Sequence, residues 1–256
     1  MRWIISPAKK MREDRDFLLP RDLPRFLPRT ERLLAHLRTL PFAALRTLLD
    51  CNEQIARLNF ERYQTMELRQ GLTPALLAYQ GIQYQYMAPG VLEAGDYDEL
   101  QGHLRILSGF YGILRPLDGV TPYRLEMQAR LRTDFCRDLY DFWGDRLALA
   151  LAEETDLVLN LASEEYARAV RRHLPPGLRM VDTVFAERSG ERIEEKGVYV
   201  KMARGEMVRY LAQCRGAGLE EVRAFQGLDY RFEAELSQPD RLVFLREAER
   251  ASPLVT

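Results

Sequence analysis

The sequence predicts a mixed α/β fold: one domain over residues 1–256, with a mixed β-sheet surrounded by helices. Three observations carry this expectation. Short apolar runs at residues 2–5 and 156–161 read as buried strands. Between such runs, leucines recur at three- and four-residue spacing, first at Leu33, Leu34, Leu37 and Leu40, which is the period of an amphipathic helix. No linker, repeat or low-complexity segment divides the chain.

Taken in order, residues 2–5 form a strand. Pro7, Pro20, Pro24 and Pro28 then exclude a continuous helix over residues 6–28, an irregular connection of a length that is often functional. Helices are expected from about Thr30 to Leu40, over 42–49 and over 52–63. Thr73-Pro74 reads as an N-cap followed by proline at the first helical position, opening a short helix to Tyr79. Residues 81–87 are β-like, Asp96 caps a helix to about Leu104, and residues 105–114 read as one buried strand. Residues 123–131 alternate, with Tyr123, Leu125 and Met127 on one face and Arg124, Glu126 and Gln128 on the other, which is a strand pattern. Residues 138–154 read as one amphipathic helix, 156–161 as a strand, and 164–173 as a helix capped by Ser163. A hairpin is expected from strands 178–187 and 192–199 around Ser189-Gly190. A helix over 201–213, a short one over 220–225, and strands over 230–236 and 241–246 complete the chain.

Composition narrows the function classes. No apolar run approaches the ~18–20 residues of a membrane span, and the start of the chain does not read as a signal peptide, so a cytoplasmic protein is expected. Cys51, Cys136 and Cys214, like His36, His103 and His173, are scattered, so neither a disulfide framework nor a metal site is expected, and no cofactor. The net charge of −1 gives no overall basic excess for nucleic acid, so any such binding must come from local patches. Two stretches qualify: Arg168, Arg171, Arg172 and Arg179, and Arg21, Arg25, Arg29, Arg32 and Arg38. Of 37 basic residues the lysines are Lys9, Lys10, Lys196 and Lys201 alone, and in so arginine-rich a chain a lysine suggests a site that wants an ammonium.

Four constellations could carry chemistry. In Ser6-Pro7-Ala8-Lys9-Lys10, Lys9 emerges at the end of a buried strand, where ligand-binding residues concentrate. Between Leu107 and Asp118, glycines and aromatics suit close backbone packing, and Arg115 either grips an anion or pairs with Asp118. Arg124 and Glu126 place a cation and a carboxylate on one strand face, as a salt bridge or a ligand-positioning pair, with Tyr123 beside them on the other face as a further candidate. Lys201 and Arg204 share a helical face beside Gly205, whose presence inside a helix costs about 1 kcal/mol relative to alanine and implies a close neighbour. With Lys201 near a helix start, an anion held by Lys201 and Arg204 is the sharper reading and a surface charge pair the plainer one.

Together these segments, with Asp138–Gly144 and Asn160–Tyr166, resemble the YaaA family of peroxide-stress-resistance proteins. The resemblance implies a fold peculiar to that family, a cytosolic role in limiting hydrogen-peroxide damage linked to intracellular iron, and DNA binding through a helix-hairpin-helix and a basic cleft. The hairpin it implies falls at residues 54–62, with Arg57, Asn59 and Arg62 as its candidates and Arg57 where glycine would be expected. Two functions follow. A monomer could bind DNA, duplex or junction, in a groove joining that hairpin to Lys9, Arg124, Lys201 and Arg204. Alternatively, an enzyme could hold a small anionic substrate in a pocket of Lys9, Arg115, Arg124, Glu126, Lys201 and Arg204, with Glu126 or a lysine as acid/base group.

Overall fold

The computed structural model describes residues 1–215 and 218–248. The chain runs β1 (Arg2–Ile5), β2 (Lys10–Met11), α1 (Leu27–Thr39), α2 (Phe42–Leu49), α3 (Glu53–Thr65), β3 (Thr73–Pro74), α4 (Ala75–Ala78), β4 (Tyr79–Gln80), α5 (Ile82–Met87) and α6 (Ala94–His103). It continues with β5 (Leu104–Ser108), β6 (Gly112–Leu114), β7 (Gly119–Val120), α7 (Leu139–Trp143), α8 (Arg146–Ala152), β8 (Leu157–Leu161) and α9 (Glu164–Arg171). It closes with β9 (Arg179–Ser189), β10 (Arg192–Glu194), α10 (Gly197–Gln213), α11 (Leu219–Arg223), β11 (Arg231–Phe232) and β12 (Arg241–Glu247).

Trp3, Ile4 and Ile5 of β1 are all fully buried, as a strand covered on both faces requires. β1 accordingly lies inside the main sheet, whose order is β11-β12-β9-β8-β1-β5-β6, with β10 added to β9. The inner pairs β12–β9, β9–β8, β8–β1 and β1–β5 are parallel, while β6 and β11 are antiparallel edges. The mixed sheet with surrounding helices is therefore as expected. From β1 the chain reaches β5 on one side, then crosses to β8 on the other and builds outward through β9 and β12. The order thus reverses at β1 and β8. Such a reversal leaves a crevice outside the carboxyl ends of the two strands.

Several boundaries differ from the expectation. Residues 81–87 are mostly helical (α5), because Gln83, Tyr84 and Met87 bury with helical period despite the alternating apolar letters. Residues 105–114 are two strands, β5 and β6, reversed between Ser108 and Gly112. Residues 138–154 are two helices, parted at Gly144, whose φ of 53° and ψ of −131° leave the helical region. Residues 123–131 belong to no sheet. Their alternation is real, with Tyr123, Leu125, Met127 and Leu131 buried, but the backbone has no ladder partner among the described residues. The strand expected over 192–199 stops at Glu194, and α10 begins at Gly197, four residues before Lys201. Of residues 230–236 only Arg231–Phe232 is strand.

The hairpin expected at residues 54–62 is absent. That stretch lies inside α3, which is continuous for 13 residues because Asn52 caps it, accepting from the Ile55 amide at 2.9 Å, and Ala56, Asn59 and Tyr63 bury at helical spacing. Arg57 pairs with Glu53 one turn away at 3.0 Å, and buried Asn59 donates to the Ile55 carbonyl at 2.8 Å. The helical hairpin in this region is α2–α3 instead, turned at residues 50–52 with Asp50 in the left-handed region at φ 43°.

Candidate functional site

The crevice at the reversal point is built from β1 and β8 outward. Both strands end on a buried apolar residue, Ile5 and Leu161, and a serine follows closely, Ser6 directly and Ser163 after Ala162. The Ser6 hydroxyl accepts from the Ser163 amide at 2.8 Å and donates to the Ser163 hydroxyl at 3.1 Å, tying the two strand ends together. Ser163 in turn begins α9. The Ser6 carbonyl accepts from the Tyr84 hydroxyl at 3.0 Å, which joins α5 to the same point.

Helix α10 closes the crevice because Gly205 lets it lie directly on α5. A Cβ at position 205 would overlap the Gln83 carbonyl. The close neighbour expected from a glycine inside this helix is thus the backbone of α5. Lys201 and Arg204 line the crevice from α10. Lys201 sits in the second turn, beyond the reach of the helix dipole, so the dipole part of the expectation does not hold. Arg204 is half-buried, burial pushes its guanidinium pKa down, and its Nε has no partner among the described residues.

The fourth wall is the extended segment 123–132. Gly109 lets this segment press onto the β5–β6 turn, since a Cβ there would lie 2.5 Å from the Leu125 carbonyl oxygen. Tyr123 is buried, with its hydroxyl 2.6 Å from Ser108 Oγ and 2.8 Å from the Tyr79 hydroxyl, and burial raises the phenol pKa. Glu126 bridges two cations, Arg124 at 2.9 Å and Lys9 at 2.7 Å. The salt-bridge reading of the Arg124–Glu126 pair therefore applies, with Lys9 as a second cation on the same carboxylate. Arg124 also has a buried Nε without a partner among the described residues. Burial pushes Glu165 up, opposed by the Gln128 amide, which donates to it at 3.2 Å, and by Lys9.

Ser6, Lys9, Tyr123, Arg124, Glu126, Lys201 and Arg204 thus line one cavity of about 460 Å³. Arg115 does not. The β5–β6 hairpin reverses the chain and brings Arg115 out at the opposite end of the sheet, 4.0 Å from Glu154. Its backbone amide, not its guanidinium, donates to Asp118 at 2.8 Å, so the expected side-chain pair with Asp118 is replaced by an amide contact. Arg57 and Asn59 lie away from the cavity within α3, and Arg62 lines a separate small hollow with Glu13 and Arg15.

Sequence reasoning missed the groove beyond this cavity. Lys9, Arg124 and Glu126 also line a second hollow of about 920 Å³, walled by α2 and by Arg130 and Arg132. Arg130 and Arg132 in turn line a third, of about 450 Å³, with Arg137 and Arg168. The signal was present in the alternation of residues 123–132, whose outward members are Arg124, Glu126, Gln128, Arg130 and Arg132. The basic stretch from Arg21 to Arg38 is instead largely engaged internally: Arg21 with Asp98, Arg25 with Glu153, Arg29 with the Phe142 carbonyl, and Arg38 with the Tyr63 and Met66 carbonyls. Burial pushes the thiols of Cys51 and Cys136 up, away from the reactive thiolate. Among the described residues no group of His, Cys, Asp and Glu is arranged to hold a metal ion, and no helix is long and apolar enough to cross a membrane.

A family model described as peroxide stress protein YaaA matches residues 1–236. A UPF0246 protein of Desulfitobacterium hafniense (strain Y51) is 53% identical over 246 residues, covering 96% of this chain and 98% of that protein. A UPF0246 protein of Lachnoclostridium phytofermentans is 52% identical, covering 96% of each chain. One of Agathobacter rectalis is 42% identical, covering 96% of this chain and 99% of its own. The chain belongs to this peroxide-stress protein family.

Proposed function

We propose that this protein acts in the peroxide stress response as a cytosolic, single-domain monomer that binds DNA in its basic groove, limiting damage linked to intracellular iron. The observation that carries this reading is the continuity of the three hollows. Segment 123–132 walls all of them, and together they gather Lys9, Lys10, Arg124, Arg130, Arg132, Arg137, Arg168, Lys201 and Arg204 against Asp50, Glu126, Asp138 and Glu165. A local cationic excess of this kind attracts phosphates even in a chain of net charge −1. Helix α2 and the 49–50 turn line the groove, so the α2–α3 hairpin stands where a duplex or junction would lie.

Binding of a labelled duplex and a four-way junction, followed by anisotropy across a salt series, tests the proposal. With about six phosphate contacts, affinity should fall on the order of 10³-fold between 50 and 200 mM salt. No binding of either DNA at the lowest salt would refute it.

A second reading, an enzyme for a small anionic substrate, is favoured by the unpartnered Nε atoms of Arg124 and Arg204 at the 460 Å³ cavity. Native mass spectrometry of wild type and Lys201→Ala tests it: a co-purifying small anion that the variant loses supports it, and bare protein in both cases opposes it.

A further inference from the structure

We infer that the inner cavity takes a single nucleotide turned out of the DNA lying in the outer groove; the inference rests on the DNA-binding reading above. The two spaces are not separate features. The outer one, of about 920 Å³, and the inner one, of about 460 Å³, meet at a shared rim of Lys9, Arg124 and Glu126. The inner volume lies within the ~300–1,000 Å³ typical of ligand pockets, too small for a duplex and suited to one flat ring with its sugar and phosphate.

The lining divides as a nucleotide does. Tyr84 and Tyr123 are buried, and their hydroxyls are engaged by the Ser6 carbonyl and by Ser108 and Tyr79. With their hydroxyls turned to these partners, they join Ile82 and Leu125 in making one side of the lining apolar, a surface against which a base can lie. The charged lining is cationic in excess, and two guanidinium Nε atoms, of Arg124 and Arg204, are buried without partners among the described residues. A phosphate next to a base would satisfy both kinds of wall at once. Glu126, held between Lys9 and Arg124, stands at the rim. A phosphate drawn to those cations competes with its carboxylate, so the ion pairs open as the nucleotide enters.

The experiment uses the full chain and a duplex with 2-aminopurine at one internal position, read by fluorescence at low salt while anisotropy of a separate label reports binding. The expected result is a several-fold rise in 2-aminopurine fluorescence on binding, larger opposite a mismatch, where unpairing is easier. Free deoxynucleoside monophosphate should suppress the rise. Gln80→Phe, at an exposed position on the lining of the inner cavity, should abolish it. Unchanged circular dichroism and melting temperature establish that this variant is folded. If the duplex does not bind at all, the DNA reading itself falls. If the duplex binds without a fluorescence rise, or if Gln80→Phe gives the same rise as wild type, the inner cavity does not take a nucleotide and DNA binding stands alone.

Discussion

The two ends of the central sheet carry similar residues put to opposite uses. At the amino ends of the parallel strands, Arg2, Arg105 and Arg115 surround Glu154. Arg2 donates to it at 2.8 Å and Arg105 at 2.5 Å, the Arg105 side chain being only 4% exposed. At the carboxyl ends, Lys9, Arg124, Lys201 and Arg204 face a cavity whose rim carboxylate, Glu126, answers only two of them. The first cluster is closed and holds four segments together, β1, β5, the end of β6 and the end of α8. The second keeps cations in reserve, Lys201 having no carboxylate partner among the described residues. A sheet of parallel strands explains the asymmetry. Its carboxyl ends open into the crevice left by the reversal at β1 and β8, whereas its amino ends are sealed by packing.

The comparison is broken most severely at Glu154. Glu154→Ala leaves Arg105 buried without its carboxylate and should destabilise the fold by about 3–5 kcal/mol in urea titrations. Lys201→Ala, at the other end, should stay within about 0.5 kcal/mol. Burial pushes the Glu154 carboxyl up, but the hydrogen bonds from Arg2 and Arg105 outweigh it and hold the group below its ordinary range. Its stabilisation is therefore present above the unfolded value of about 4.3 and is lost as pH falls through the folded value. The difference between wild type and Glu154→Ala should shrink correspondingly in acid.

Asp118, at the closed end, titrates in the contrary sense. Burial pushes its carboxyl up to about 6. A raised carboxylate favours the folded state while protonated, so its penalty grows from about pH 4 to about pH 6 and persists above. Asp118→Asn keeps an oxygen for the Arg115 amide and removes that penalty. Its stability relative to wild type should rise by about 2 kcal/mol between pH 4 and pH 7, as measured by chemical denaturation at each pH. A flat difference would mean that this carboxylate is solvated in the folded protein.

The smallest expected effect lies at the rim. Glu126→Gln removes the acid that screens Lys9 and Arg124, and should raise duplex affinity about threefold and steepen the salt dependence by up to one unit of slope. Weaker binding would assign Glu126 a direct role in holding the ligand.

Most of the architecture was legible in the sequence because burial and helical period are local signals: β1, α1–α3, β8 and α9 lie within a few residues of where their apolar letters put them. Two alternating stretches misled, for different reasons. In residues 82–87 the buried set Gln83, Tyr84 and Met87 is helical, and the letters merely alternate. In residues 123–131 the alternation reports true two-sided burial, but hydrogen-bond partnership is non-local and no alternation encodes it. Lys9, Lys201 and the Arg124–Glu126 pair were visible as chemistry-bearing residues, whereas their meeting depends on strand order. Arg115 illustrates the limit. One turn at residues 109–111, invisible as a reversal in an apolar run, sends it to the wrong end of the sheet.

The direct test of the account compares the two ends in one assay: duplex binding by wild type, the double variant Lys9→Ala/Lys201→Ala, and Arg115→Ala across a salt series. The account predicts steep salt dependence for wild type, a slope lower by about two for the double variant together with at least tenfold weaker binding near 50 mM salt, and no change for Arg115→Ala. Equal loss in both variants, or a salt-independent wild type, would contradict it.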